Sequence, residues 1–170
     1  MSLPLTHHVL QCRIATPLGA MTATRSARGL SGLWFDAQKH HPGPLDLSSA
    51  PEDALFAQLR AALQAYFEGQ SLPRDLALDP QGTPFQQQVW QALLAIPAGA
   101  SRSYGELARQ LGRPLAVRAL GAAVGRNPLS ILIPCHRALG ASGALTGYAG
   151  GLARKTALLR LEGAAFKEAA

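Results

Sequence analysis

Two stretches of the second half, Thr83-Pro84-Phe85-Gln86 and Ser103-Tyr104-Gly105-Glu106, each place a hydroxyl side chain three residues ahead of a glutamine or glutamate. That spacing is a helix capping box, in which the hydroxyl accepts from the third helical N–H and the longer side chain reaches back to the capping residue's own N–H. Pro84 falls at the first helical position, where its missing N–H is no loss. The pattern predicts one helix running to Ile96 and a shorter one running to about Leu111. Gly112-Arg113-Pro114 then interrupts the chain, and Leu115 to Val124 resumes as a third helix. Two short helices joined by a tight glycine-containing turn form a helix-turn-helix. Many helical cores contain such a pair, so the topology leaves a purely structural reading open.

Charge bears on the two readings, either as a phosphate-binding surface or as a solvated basic face. Met1 to Pro84 carries six Lys/Arg against seven Asp/Glu, whereas Phe85 to Ala170 carries ten against three, so the net charge of +6 belongs to the second half. Within it, Arg102, Arg109, Arg113, Arg118, Arg126 and Arg137 are accompanied by one acid, Glu106. A one-signed cluster of arginines over a helix-turn-helix is the electrostatic footprint of a phosphate-binding surface, whose second helix would enter a groove of DNA.

The first third reads as strands. Leu10, Cys12 and Ile14 alternate with polar neighbours, Thr16-Pro17-Leu18-Gly19 supplies turn chemistry, and Gly29 to Phe35 is a second apolar run, so a small antiparallel meander is expected. His40 to Pro44 reads as loop. Ser49-Ala50-Pro51-Glu52 has capping-box spacing and predicts a helix to about Glu68, with Leu55, Phe56, Leu59, Leu63 and Phe67 on one face and Gly69 as its stop. Gln70 to Gly82 lacks periodicity and holds two prolines, which places the domain boundary there: 1–80 and 81–170.

The third helix of the second half, Ala116 to Val124, is built almost wholly of small side chains, with Arg118 as its single long one. Small residues suit either close packing in a core or close approach to another surface. A lone arginine on such a helix suits a narrow groove, as a wedge or as the filler of a vacated space.

Beyond Asn127-Pro128, Ser130-Ile131-Leu132-Ile133 predicts a short buried strand leading into Pro134-Cys135-His136-Arg137. Cys12 reads as a small buried hydrophobe. Cys135, followed by histidine and arginine and preceded by a backbone-restricting proline, reads as a presented nucleophile. Successive residues of an extended segment face opposite ways, so proton transfer between Cys135 and His136 requires a bend or a bridging water. Glu162 closes a helix from Leu152 to Leu161, where an acid opposes the backbone dipole by a few tenths of a kcal/mol. Orienting a histidine would be a reason to hold it there.

The ordered set Thr83-Pro84-Phe85-Gln86, Ser103-Tyr104-Gly105, Arg118-Ala119-Leu120-Gly121, Asn127-Pro128, Pro134-Cys135-His136-Arg137, Thr146-Gly147-Tyr148-Ala149-Gly150-Gly151 and Leu161-Glu162-Gly163 resembles the 6-O-alkylguanine-DNA alkyltransferases. The likeness covers Gly82 to Gly163 nearly without gaps; the first 80 residues match it loosely, as strands followed by a helix. It implies an α/β (α+β) architecture: a small ribonuclease H-like meander plus helix, then a helical domain with a winged helix-turn-helix. It implies that Cys135 accepts the alkyl group, that His136 deprotonates it through a water, and that Glu162 orients His136. Asn127 corresponds to a hinge between the recognition helix and the active-site loop. Tyr104 is similar to the tyrosine that helps rotate the nucleotide and binds the base, and Arg118 to the finger that fills the emptied stack from the minor groove. Ala116, Val117, Ala119, Gly121, Ala122 and Arg126 would complete the DNA face, and Tyr148, Ala149, Gly150, Val124 and Pro134 the base pocket. Ala138 stands where a larger aliphatic residue commonly follows the motif, and Ser130 where some members have proline.

The partner implied is duplex DNA containing alkylated guanine, met by a monomer without cofactor. No metal site is expected, since His7, His8 and Cys12 make no convincing ligand set. No apolar run approaches the roughly 20 residues that span a bilayer, and Met1 to Leu10 has no secretion-leader pattern, so a cytoplasmic protein is expected, nucleoid-associated in a bacterium. Two other classes fit parts of the sequence: a regulator or lesion sensor that binds without repairing, and a Cys/His hydrolase. The first has no use for Cys135, and the second needs an oxyanion site for which no residues present themselves.

Overall fold

A computed structural model describes residues 7–168; the leader reading of Met1 to Leu10 therefore lies mostly outside the described residues. The chain divides into two compact units, one running to Gln81 and including Pro128–Ser130, the other formed by Gly82–Asn127 and the residues from Ile131 onward.

In the first unit β1 (Leu10–Ile14), β2 (Met21–Arg25) and β3 (Leu30–Phe35) form the expected antiparallel meander, and β4 (Ser48–Ser49) adds to β1 in parallel, giving the order β3-β2-β1-β4. Thr16 and Gly19 exchange backbone hydrogen bonds across the β1–β2 turn. Met21, Ala23, Leu30, Leu33 and Phe35 are fully buried. The outer edge of β3 is capped: the Leu33 amide donates to the Pro128 carbonyl at 2.8 Å, and the Ser130 amide to the Leu33 carbonyl at 3.0 Å. An exposed edge strand invites pairing with another chain, and this segment removes it.

The helix α1 (Ala54–Phe67) starts later than the spacing predicts. Its cap is Asp53, whose carboxylate accepts from the amides of Leu55 and Phe56 and pairs with Arg25 at 2.9 Å. Ser49 is instead committed to β4, opposite Gln11, so the apparent capping box is not used. A carboxylate that caps and also forms an ion pair outcompetes a hydroxyl. The buried face is Leu55, Phe56, Leu59, Ala62, Leu63 and Tyr66, with Phe67 only partly covered. Gly69 ends the helix in the left-handed region, its amide and that of Gln70 closing back on Tyr66 and Ala65.

In the second unit both capping boxes form. Thr83 caps α2 (Pro84–Leu94) and Ser103 caps α3 (Tyr104–Gln110), each with both reciprocal hydrogen bonds. Gly112, at φ +68°, reverses the chain, and α4 (Val117–Gly125) follows, two residues later than the pattern predicts. The Trp90 indole of α2 donates to the Ala123 carbonyl at 2.9 Å, tying α4 to its support. α5 (Leu152–Leu161) has the expected bounds. β5 (Arg102–Ser103), which lies between α2 and α3, pairs in parallel with β6 (Ala138–Leu139), which lies between α4 and α5. No helix of the described residues is long and apolar enough to cross a membrane.

Candidate active site

Ser130 to Ile133 is a buried turn rather than the expected strand. Ile131 sits at φ +72°, a conformation that breaks any ladder and that a β-branched residue adopts only under strong constraint. The constraint is visible on either side. Pro128–Ser130 is held by β3, and the Asn127 side-chain amide donates to the Ile133 carbonyl at 2.8 Å.

The turn delivers Cys135 to the start of a single 3-10 turn, Cys135–Arg137. This is the bend that an extended segment would have lacked. Cys135 is 5% exposed. Burial pushes its thiol up from the ordinary range, opposed by a hydrogen bond from Asn127, by the nearby Lys155 charge and by the amides of Cys135 and His136. In the resting protein the sulfur therefore carries its proton, within a setting built to tolerate the anion.

His136 is fully buried, and its Nε2 lies 2.8 Å from Glu162 Oε1. Burial lowers its pKa and so favours the neutral imidazole, able to accept a proton, while Glu162 pulls the other way and favours the charged form. Its Nδ1 makes no hydrogen bond to any described residue. Glu162 is placed by the end of α5: Gly163, at φ +68°, and Ala164 return their amides to Arg160 and Leu159 in a Schellman motif, leaving Glu162 as the capping residue. Its side chain is 2% exposed.

The same carboxylate also binds Arg137, through Nε at 2.9 Å and Nη2 at 2.8 Å, while Nη1 donates to the Ile96 carbonyl at 2.6 Å. Arg137 is buried and fully engaged, so it leaves the phosphate surface to which its place among the arginines assigned it. It also removes the difficulty of an acid at a helix C-terminus, since a forked ion pair outweighs a few tenths of a kcal/mol of dipole repulsion.

Lys155 is the site residue that sequence reasoning missed. It is completely buried on α5, its ammonium donating to the carbonyls of Ala138, Thr146 and Gly147 at 2.6, 2.7 and 3.2 Å. Burial brings its pKa down to about 8, with the Cys135 sulfur pulling the other way. Its Nζ lies 6.0 Å from the Tyr104 ring centre. It pins the Thr146–Gly151 loop, which carries Tyr148, Ala149 and Gly150, and Gly150 is held further by Arg154 at 3.1 Å. A lysine five places after Gly150 carries no local signal of burial, because long basic side chains on helices normally reach water.

Tyr104 opens α3 and shares a hydrogen bond with the Thr146 side chain; burial raises its pKa, so it remains a phenol and a donor. The β5–β6 pairing brings the segment before Tyr104 alongside the one that follows Cys135. Val124 and Pro134 are buried on either side of the turn in sequence.

The remaining residues lie on α4. Leu120, Ala123 and Val124 are buried, while Val117, Arg118, Ala119, Ala122 and Arg126 are exposed and Ala116 and Gly121 half-buried. A side chain built at Gly121 would meet nothing within 4 Å. Its smallness is not required by packing inside the chain, which favours approach to an outside surface. Arg102, Arg109 and Arg113 are exposed as well.

Residues 84–164 match the DNA binding domain of the 6-O-methylguanine DNA methyltransferase family, and residues 11–80 match that family's ribonuclease-like domain. The methylated-DNA–protein-cysteine methyltransferase of Mycobacterium tuberculosis is 47% identical over 149 residues, which are 88% of this chain and 89% of that one. The relative of the same name in Methanosarcina acetivorans is 43% identical, covering 87% and 94%. Among solved structures, Mycobacterium tuberculosis OGT in complex with DNA superposes with a TM-score of 0.84 at 45% identity, over 91% of this chain and 93% of that one.

Proposed function

The chain belongs to the 6-O-methylguanine DNA methyltransferase family, and from that premise we propose that it repairs alkylated guanine in duplex DNA by moving the alkyl group onto Cys135, once per molecule. The observation that carries the assignment to Cys135 is that this buried thiol is followed in the chain by the buried His136, whose imidazole is oriented by the Glu162 carboxylate at 2.8 Å.

The chemistry follows from those groups. His136 takes the thiol proton through a water, and Glu162 stabilises the imidazolium. The sulfur attacks the alkyl carbon, the carbon–oxygen bond breaks, and its electron pair leaves on the purine oxygen. The proton that left the thiol ends on the guanine. One thiol and one alkylated guanine thus become one thioether and one guanine. A thioether has no easy leaving group, so the protein is consumed. Lys155 and the amides at the 3-10 turn favour the thiolate, and Tyr104 hydrogen-bonds the base.

The guanine oxygen is inaccessible within a stacked duplex, so the base must be extruded. Arg118 fills the vacated stack from the minor groove, the small residues of α4 allow close approach, and the exposed arginines hold the phosphates. Tyr148, Ala149, Gly150, Val124 and Pro134 bound the pocket. In this reading residues 81–170 bind DNA and take the alkyl group, and a monomer suffices.

Duplex DNA with a radiolabelled methyl on guanine tests the proposal. One label per chain is expected, and trypsin should release it in Asn127–Arg137, where Cys135 is the only cysteine. Cys135→Ser should take no label yet retain DNA affinity, since phosphate contacts supply most binding energy. Label on the fragment ending at Arg13, which holds Cys12, or uptake beyond one methyl per chain, would overturn it.

A further inference from the structure

Five large apolar residues are exposed among those described, and four of them, Val9, Leu94, Val117 and Leu152, lie between 39% and 48%. Leu115 is 99% exposed. Water covers its whole side chain, so it contributes no burial to folding. It is also not on a loose loop. The Ala116 amide donates to the Arg113 carbonyl at 2.9 Å, closing a turn with Pro114 at its second position, where the fixed proline φ stiffens it, and Leu115 at its third. The Arg113 guanidinium is itself held over the Phe85 ring at 5.3 Å. An apolar side chain is thus presented on a rigid tip at the entrance to α4.

The surroundings select its partner. Arg109, Arg113, Arg118 and Arg126 are exposed on α3, the turn, α4 and its end, with Glu106 the only acid between Arg102 and Arg137. Another protein's apolar patch would have to tolerate that concentration of positive charge, whereas duplex DNA supplies both the phosphates and the apolar sugar faces between them.

Resting on the function proposed above, we infer that Leu115 is a DNA-positioning residue, whose side chain packs on deoxyribose carbons of the groove wall beside the nucleotide that Arg118 displaces. Leu115 and Arg118 are three positions apart in the chain, a reach of at most about 10 Å, or roughly three base steps along one strand. The leucine has no polar atom and reads no base, which suits a protein whose lesion arises in any sequence. It adds a contact that salt does not screen, beside arginines whose contacts salt does screen.

Binding of the full chain to undamaged duplex DNA, measured across a series of salt concentrations, separates these contributions. Leu115→Ser should weaken binding about five- to tenfold at every salt concentration, the share expected from covering half of a leucine, with the slope of log K against log[salt] unchanged. Leu115→Met should restore the wild-type affinity, which loss of turn geometry alone would not predict. Leu115→Lys should steepen the slope by about 0.9, one added counterion. Wild-type affinity in Leu115→Ser, or a loss that appears only at low salt, would overturn the role of Leu115 while leaving the repair function standing. A wild-type chain that does not bind duplex DNA would overturn both.

Discussion

Glu162 Oε1 lies 2.8 Å from His136 Nε2, and the carboxylate is held in that position by the buried guanidinium of Arg137. One acid therefore binds two residues that are neighbours in sequence, an imidazole and a guanidinium.

Glu162→Gln should slow alkyl transfer from a free alkylguanine base and from duplex DNA alike, by about tenfold or more, because proton removal from Cys135 is common to both. Glu162→Ala should do this and also strand the Arg137 cation, destabilising the fold by about 3–5 kcal/mol. Transfer kinetics on the two substrates, with a urea midpoint for each variant, check the two effects separately.

Arg118→Ala should slow repair in duplex DNA far more than transfer from the free base, since a stack-filling side chain matters only when a base must leave a stack. Equal losses on both substrates would place Arg118 in the chemistry.

Lys155 and Cys135 should give opposite signatures in stability against pH. The folded protein releases the Lys155 proton near pH 8 and the unfolded chain near 10.5. Between those values the unfolded chain binds more protons, so this group makes stability rise with pH. The Cys135 thiol is raised above its ordinary 9.0, so above that pH the folded chain keeps a proton the unfolded chain has lost, and stability falls. Relative to wild type, Cys135→Ala should therefore gain stability as pH rises above 9.0, and Lys155→Met should lose it between about 8 and 10.5. Denaturant midpoints across that range decide it; a flat difference for Cys135→Ala would mean the thiol is not held neutral by burial.

Affinity for undamaged duplex should fall steeply with salt, and replacing one phosphate-contacting arginine, with Arg109→Ala as the first trial, should lower the slope by about 0.9. Arg137 is outside this set, since its guanidinium is spent on Glu162 and Ile96.

The elements legible in the sequence are those made by interactions a few residues apart. Thr83 with Gln86, and Ser103 with Glu106, form the caps their spacing predicts. Gly69 and Gly112 end their helices in the left-handed region that glycine alone adopts freely. Ser49-Ala50-Pro51-Glu52 shows the limit of that logic, because a distant strand claims Ser49 and a distant arginine reinforces Asp53 as the cap.

The sequence by itself determined the helix-turn-helix, the meander, the concentration of arginine in the second half and the Pro134-Cys135-His136-Arg137 motif, because capping, turn and periodicity signals act within one or two turns of chain. Only the tertiary structure decided which charges stay in water. Arg137 and Glu162 are 25 residues apart, Lys155 and the Ala138 carbonyl 17, and nothing local distinguishes these basic side chains from their exposed neighbours. Burial is set by what the rest of the fold brings alongside. The same holds for the turn at Ile131, where an apolar run suited to a strand is bent between its anchors at Ser130 and Asn127, and Cys135 opens a 3-10 turn instead of continuing an extended segment.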